Sequence, residues 1–170
     1  MKHFSEYFNI HEKLYISDDI KTHEYAPRTN DELFDIVKKL VDERGVDADL
    51  NDIDTSKVKD MSNLFFNLFK NNINVRNIDI SRWNVSQVTD MTAMFFKCEE
   101  FNCDISHWDV SNVEATSGMF YKCKKFSYDL SKWKPTKLRY CKEMFTGCEL
   151  LKTLPEWYHK ILNDRYKKKS

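Results

Sequence analysis

A 25-residue period constrains this chain more than any other feature. Trp83, Trp108 and Trp133 are spaced 25 apart, and so are Phe95, Phe120 and Phe145, and Cys98, Cys123 and Cys148. Three residue types keeping one period point to a unit stacked on copies of itself rather than a globule built around one cleft. The regular units run over 78–102, 103–127 and 128–152. A degenerate unit precedes them at an offset of 30. In it Ile53 takes the tryptophan slot, Val58 matches Val88, Met61 matches Met91, and Leu64-Phe65 matches Met94-Phe95. Its five extra residues fall in the polar stretch from Phe69 to Arg76, which predicts a bulging loop.

Each unit reads as a strand, a turn and a short helix. Asp90 is placed to cap a helix bearing Met91, Met94, Phe95 and Cys98 on one side. The third unit has Thr116 in the Met91 slot, and the fourth has Cys141 there. An extended segment carries Ile105, Trp108, Val110 and Val113, without strict alternation. Two-turn helices are marginal alone, so stacking has to supply their stability. The fold class expected is therefore an α/β repeat, a leucine-rich-repeat-like solenoid of about four strand–turn–helix units with a capping helix at each end.

The end helices have their own signals. Thr29 and Glu32 form a T-x-x-E capping box. Leu33, Ile36, Val37, Leu40 and Val41 share a face, and Gly45 is suited to a left-handed stop, which predicts a helix over 30–44. Pro155 followed by Trp157, Tyr158, Ile161, Leu162 and Tyr166 predicts a second over 155–167. Phe4, Tyr7, Phe8, His11, Leu14 and Tyr15 follow helical spacing near the start, on a stripe that either packs on the domain or meets a partner. The organisation expected is an N-terminal segment and capping helix over 1–47, four units over 48–152, and a C-terminal helix with a basic tail over 153–170.

Charge bears on the kind of partner. The chain has 170 residues, 27 basic and 27 acidic side chains and zero net charge, without the basic excess of a general nucleic-acid binder. Lys167, Lys168 and Lys169 form a terminal basic run, read as a solvated tail against the alternative of contact with nucleic acid or membrane. No stretch approaches the roughly 20 apolar residues that span a bilayer, and no signal peptide is visible. A cytoplasmic location is expected, with no membrane insertion.

No residue pattern points to catalysis. His3, His11, His23, His107 and His159 are scattered. No H-E-x-x-H, G-x-S-x-G, phosphate-binding loop or dinucleotide fingerprint occurs. Asp79, Asp104 and Asp129 form an acidic ladder. It is read as bonding turn backbone and offset by Arg82, His107 and Lys132, with a calcium ladder as the alternative. Cys98, Cys123 and Cys148 share a slot and read as buried free thiols, against a disulfide or metal role; Cys103 and Cys141 lie outside it. Expected are no enzyme activity, no cofactor and no metal.

The strings Asp104-Ile105-Ser106-His107-Trp108-Asp109-Val110-Ser111-Asn112-Val113 and Gly118-Met119-Phe120-Tyr121-Lys122-Cys123 resemble the BspA-like surface-protein repeat. Ser86-Gln87-Val88-Thr89-Asp90-Met91 fits it too. The resemblance covers about residues 48–152, and Tyr25 to Leu33 is similar to the leader of some bacterial members. It implies a divergent leucine-rich-repeat fold, a surface or adhesion setting for most relatives, and no catalytic residues. Glu114-Ala115-Thr116 departs from its T-D-M, and Lys134-Pro135 replaces its Asp-Val, which predicts a distorted last unit.

The function expected is a non-catalytic protein–protein interaction module, acting as a monomer or weak dimer. Its contacts fall in two columns of varying residues, Gln87, Asn112 and Lys137, and Thr89, Glu114 and Arg139. A small inhibitor or immunity-type protein that blocks an enzyme, and a surface adhesin, are the alternatives.

Overall fold

A computed structural model describes the backbone of residues 23–73 and 75–167, with side chains as far as residue 163. The stripe from Phe4 to Tyr15, with His3 and His11, lies outside the described residues, as do Lys168 and Lys169 of the basic run. Among the described residues there are three helices: α1 (Asn30–Arg44), α2 (Leu64–Lys70) and α3 (Glu156–Lys167).

The helix expected over 30–44 is present, and its box closes with a shift of one residue. The Thr29 hydroxyl accepts from the Glu32 N–H at 3.2 Å, but the Glu32 carboxylate reaches the N–H of Arg28 at 2.7 Å rather than that of Thr29. Gly45 does stop the helix at positive φ (91°), yet its ψ of 177° is extended, not left-handed helical. Leu33, Val37, Leu40 and Val41 are buried and join one continuous apolar core running on to Tyr158.

The expected α/β solenoid of strand–turn–helix units does not form. The described residues hold no strand, only isolated parallel bridges such as Asp60 with Asp90, Asp90 with Ala115, and Ala115 with Tyr140. The leucine-rich-repeat comparison therefore fails in three dimensions. The reason lies in the turns. Asp79, Asn84 and Asp90 each accept, through the side chain, the backbone N–H two residues on, at 2.9, 3.1 and 2.7 Å. Between them Trp83 N–H bonds Ile80 and Val88 N–H bonds Val85, three residues back. A chain that turns every five or six residues has no room for a ladder.

The short helices fail for a related reason. Ala93 (φ 53°), Lys97 (61°), Gly118 (63°), Lys122 (58°), Glu143 (57°) and Gly147 (80°) all sit at positive φ. An α-helix cannot run through left-handed residues. The freed N–H groups point at the next coil instead. Met91, Ala93, Phe95 and Lys97 donate to Ala115, Ser117, Met119 and Tyr121, and Thr116, Gly118, Phe120 and Lys122 donate to Tyr140, Lys142, Met144 and Thr146, all at 2.6–3.0 Å. Asp90 thus accepts a turn N–H and caps no helix. Only the degenerate unit makes a helix, α2, where Asn67 stays right-handed in the slot that Lys97 and Lys122 occupy in left-handed form. The predicted bulge follows it: Asn71 and Asn72 are exposed, while Ile73 and Val75 return to the core.

Side chains bind the coils together. The rings of Phe65, Phe95, Phe120 and Phe145 stack nearly parallel, with centroids 5.1, 5.6 and 5.6 Å apart. Phe101 and Phe126 add a second stack beside them. Trp83, Trp108 and Trp133 are buried, and two of them donate backwards: Trp83 Nε1–H to the Leu50 carbonyl and Trp133 Nε1–H to that of Ile105. α3 continues this pattern. Trp157 stacks on Trp133 at 6.3 Å and donates to the Leu130 carbonyl, and Tyr158 meets Phe145 edge-on at 5.1 Å.

Candidate interaction surface

The same turns that exclude strands decide which side chains face outward. In each coil the apolar residues between Asx turns point in, and the polar ones stand on the rim. The two columns singled out by their variability have different fates. In the first, Gln87 is exposed, but Asn112 donates to the Ser86 carbonyl at 2.7 Å and accepts from Lys137 Nζ at 2.7 Å. Most of its hydrogen-bonding capacity is spent inside the stack.

The second column stays open. Thr89 Oγ1–H donates to the Lys59 carbonyl, and Arg139 Nε stands 3.9 Å from the Glu114 carboxylate across largely exposed side chains. A shallow depression of about 290 Å³ is lined by Thr89, Asp90, Glu114, Ala115 and Tyr140. Tyr140, 62% exposed, is the most open large hydrophobic side chain among the described residues. The period does not point to it, because it occupies the slot of Asp90 and Ala115 and so breaks the pattern instead of repeating it.

A second outward feature has only a weak signal in the sequence. Phe66, Phe96 and Tyr121 form a half-buried ladder outside the core stack, at 4.9 and 4.7 Å. Lys70, Lys97 and Lys122 place their ammonium groups over these rings at 4.5, 5.6 and 5.6 Å. The available signal was the aromatic pair Phe65-Phe66 and Phe95-Phe96, of which only the first member fits the core face.

The acidic ladder serves the turns. Asp79, Asp104 and Asp129 accept from the N–H groups of Ser81, Ser106 and Ser131 at 2.8–3.0 Å. Burial pushes the Asp79 carboxyl upward, but hydrogen bonds from Asn51 and Ser81 outweigh it and leave it below the usual carboxylate range. Hydrogen bonds from Ser106 and Ser131 lower Asp104 and Asp129 in the same way. The partner residues act partly across coils. Arg82 reaches Asp49 at 4.0 Å, and His107 Nε2 lies 2.6 Å from the Ser81 carbonyl, so it carries the proton there.

The five cysteines form no disulfide. The Cys123 and Cys148 Sγ–H groups donate to the carbonyls of Phe95 and Phe120, each at 3.0 Å. Burial pushes Cys98 and Cys148 up to about 12 and Cys103 to about 11, and raises Cys123 well above its ordinary value. Thiols held protonated in this way are poor nucleophiles and poor metal ligands. Among the described residues no three His, Cys, Asp or Glu side chains converge to hold a metal ion, and no helix is long and apolar enough to cross a membrane.

Fold and surface together define a stack of turn-built coils capped by helices, with its polar rim turned outward. The chain belongs to the family described as Mycoplasma protein of unknown function, DUF285, whose profile matches residues 32–157. Comparison with curated proteins and with solved structures returned no match.

Proposed function

We propose that this protein is a non-catalytic protein–protein interaction module. The observation that carries the reading is Tyr140, which lines the Thr89–Glu114 depression and stands 62% exposed, while the stacked rings are buried or half-buried. Tyrosine is enriched among the hot spots of protein interfaces, where truncating such a side chain costs about 2 kcal/mol or more. The reading takes 48–152 as the binding body, with 1–47 and 153–170 as its flanks, and gives the protein a cytoplasmic setting as a monomer or weak dimer. Kinship with BspA-like surface repeats, carried by the string from Asp104 to Val113, belongs to the same proposal.

Affinity capture from the native cell tests it. The wild-type chain is expected to retain a protein partner that a Glu114→Lys, Tyr140→Ala variant releases, at unchanged thermal stability. Retention by both, or no protein partner at all, would overturn it. Fractionation decides the setting: recovery at the cell surface would replace the cytoplasmic reading with an adhesin.

A further inference from the structure

The last coil departs from its predecessors at one place. Asn84 and Asp109 hold Asx turns by accepting from Ser86 and Ser111, whereas Lys134 stands in that slot and its backbone carbonyl accepts from Thr136 N–H instead. Val85 and Val110 are 2% exposed in the following slot, but Pro135 is half-buried. The chain thus opens away from the core where α3 packs. The result is a cleft of about 330 Å³ between the coil and the helix, lined by Trp133, Lys134, Pro135, Trp157, Lys160 and Ile161.

We propose that this cleft binds an acidic segment of a partner protein, seating one aromatic side chain against the Trp157 indole with flanking carboxylates between Lys134 and Lys160. This deepens the interaction-module reading and rests on it. The chemistry of the walls selects the anchor. Trp133 and Trp157 lie 6.3 Å apart at 20°, and both indole N–H groups are spent on the Ile105 and Leu130 carbonyls. Trp133 is buried and Trp157 half-buried, so what the cleft offers a ligand is mainly the Trp157 ring, which favours an aromatic guest. The volume sits at the small end of ligand pockets, about 300–1,000 Å³, which suits one side chain with its neighbours and not a folded surface.

Charge selects the flanks. Lys134 and Lys160 are both exposed, and among the described residues neither has an ion-pair partner. Asp109, one coil back from Lys134, and Glu156, one helical turn before Lys160, pair with neither. Two ammonium groups without an ion-pair partner among the described residues, beside an apolar slot, complement carboxylates and repel a basic segment.

The test uses the full chain and a labelled peptide with one phenylalanine flanked on both sides by glutamates. Binding is expected to change tryptophan emission and to weaken with salt. Lys134→Glu with Lys160→Glu is expected to weaken it at least about tenfold at unchanged thermal stability, while Lys134→Arg with Lys160→Arg keeps it. A peptide with lysines for glutamates, or alanine for phenylalanine, should not bind. Absence of binding at about 1 mM peptide, or equal binding by the charge-reversed chain, would overturn the proposal. Failure here is separable from failure of the broader reading. If the charge-reversed chain still captures the partner that the Glu114→Lys, Tyr140→Ala variant loses, the cleft proposal falls and the module stands. If the wild type captures no protein, the module falls whatever the peptide does.

Discussion

The protonation state of a few buried thiols couples this protein's stability to alkaline pH. An unfolded cysteine ionises near 8.5, whereas Cys98 and Cys148 are held up to about 12 by burial. Above the lower value the unfolded chain loses protons that the folded chain keeps. Stability is therefore complete below about pH 8.5 and falls as the pH rises toward 12. Alkylation at pH 8 is expected to be slow at Cys98, Cys123 and Cys148 and rapid after denaturation, as mass spectrometry of the modified chain would read. Fast labelling of all three in the native protein would mean that the slot is not buried. A contrast between tryptophans belongs to the same scale. Trp133 Nε1–H bonds the Ile105 carbonyl, while the buried Trp108 Nε1–H has no partner among the described residues. Trp133→Phe is expected to cost about 1 kcal/mol more than Trp108→Phe in a denaturant titration. Equal costs would show that Trp108 is satisfied in solution.

Ala93 best separates the coil observed from the helix that its spacing suggests. In an α-helix Ala93→Gly costs about 1 kcal/mol. At φ 53°, glycine instead relieves the left-handed penalty of about 1–2 kcal/mol and gives back part of it as chain entropy. The variant is expected to be neutral or more stable by up to about 1 kcal/mol in thermal melts, and a clear loss would contradict the turn geometry. This is also where sequence legibility ends for the elements. α1 and α3 were readable because Thr29, Glu32 and Pro155 are local signals that act within one turn of chain. The core residues were readable because Trp, Phe and Cys recur in fixed slots. The backbone path between them was not. Met91, Met94, Phe95 and Cys98 have the spacing of a helix face, yet the Met91 and Phe95 N–H groups are claimed by residues 24 positions ahead while those of Met94 and Cys98 close turns three residues back, and nothing local announces that. Gly118 and Gly147 were the hints, since each stands in a slot that is left-handed in every regular coil. Lysine fills the second of those slots at Lys97 and Lys122 and hid the signal.

For the whole molecule, the continuous ring stack makes the coils interdependent. Phe120 touches Phe95, Phe126, Phe145 and Trp133 at once. Phe120→Ala is expected to cost about 3–5 kcal/mol, enough to unfold much of a marginally stable domain, and to lower the melting temperature of the entire protein in one transition. Loss confined to one end would mean that the coils melt separately. The candidate surface was legible in part at this scale. The column of Thr89, Glu114 and Arg139 does face outward, but that of Gln87, Asn112 and Lys137 is partly tied up in cross-coil bonds. Tyr140 carries no periodic signal because it departs from the repeat, whereas the cleft falls at Lys134-Pro135, where the sequence predicts a distorted last unit. A period reveals what every unit shares, whereas recognition by a stack depends on where one unit differs.

Through-hydrogen-bond scalar couplings in an isotope-labelled sample distinguish coil from helix directly. The Phe95 amide nitrogen should correlate with the carbonyl carbon of Met119, whose oxygen it meets at 3.0 Å. The Phe120 amide should correlate in the same way with that of Met144. Correlations from those amides to Met91 and Thr116 instead, four residues back, would show helices in place of turns and contradict the stacked coil.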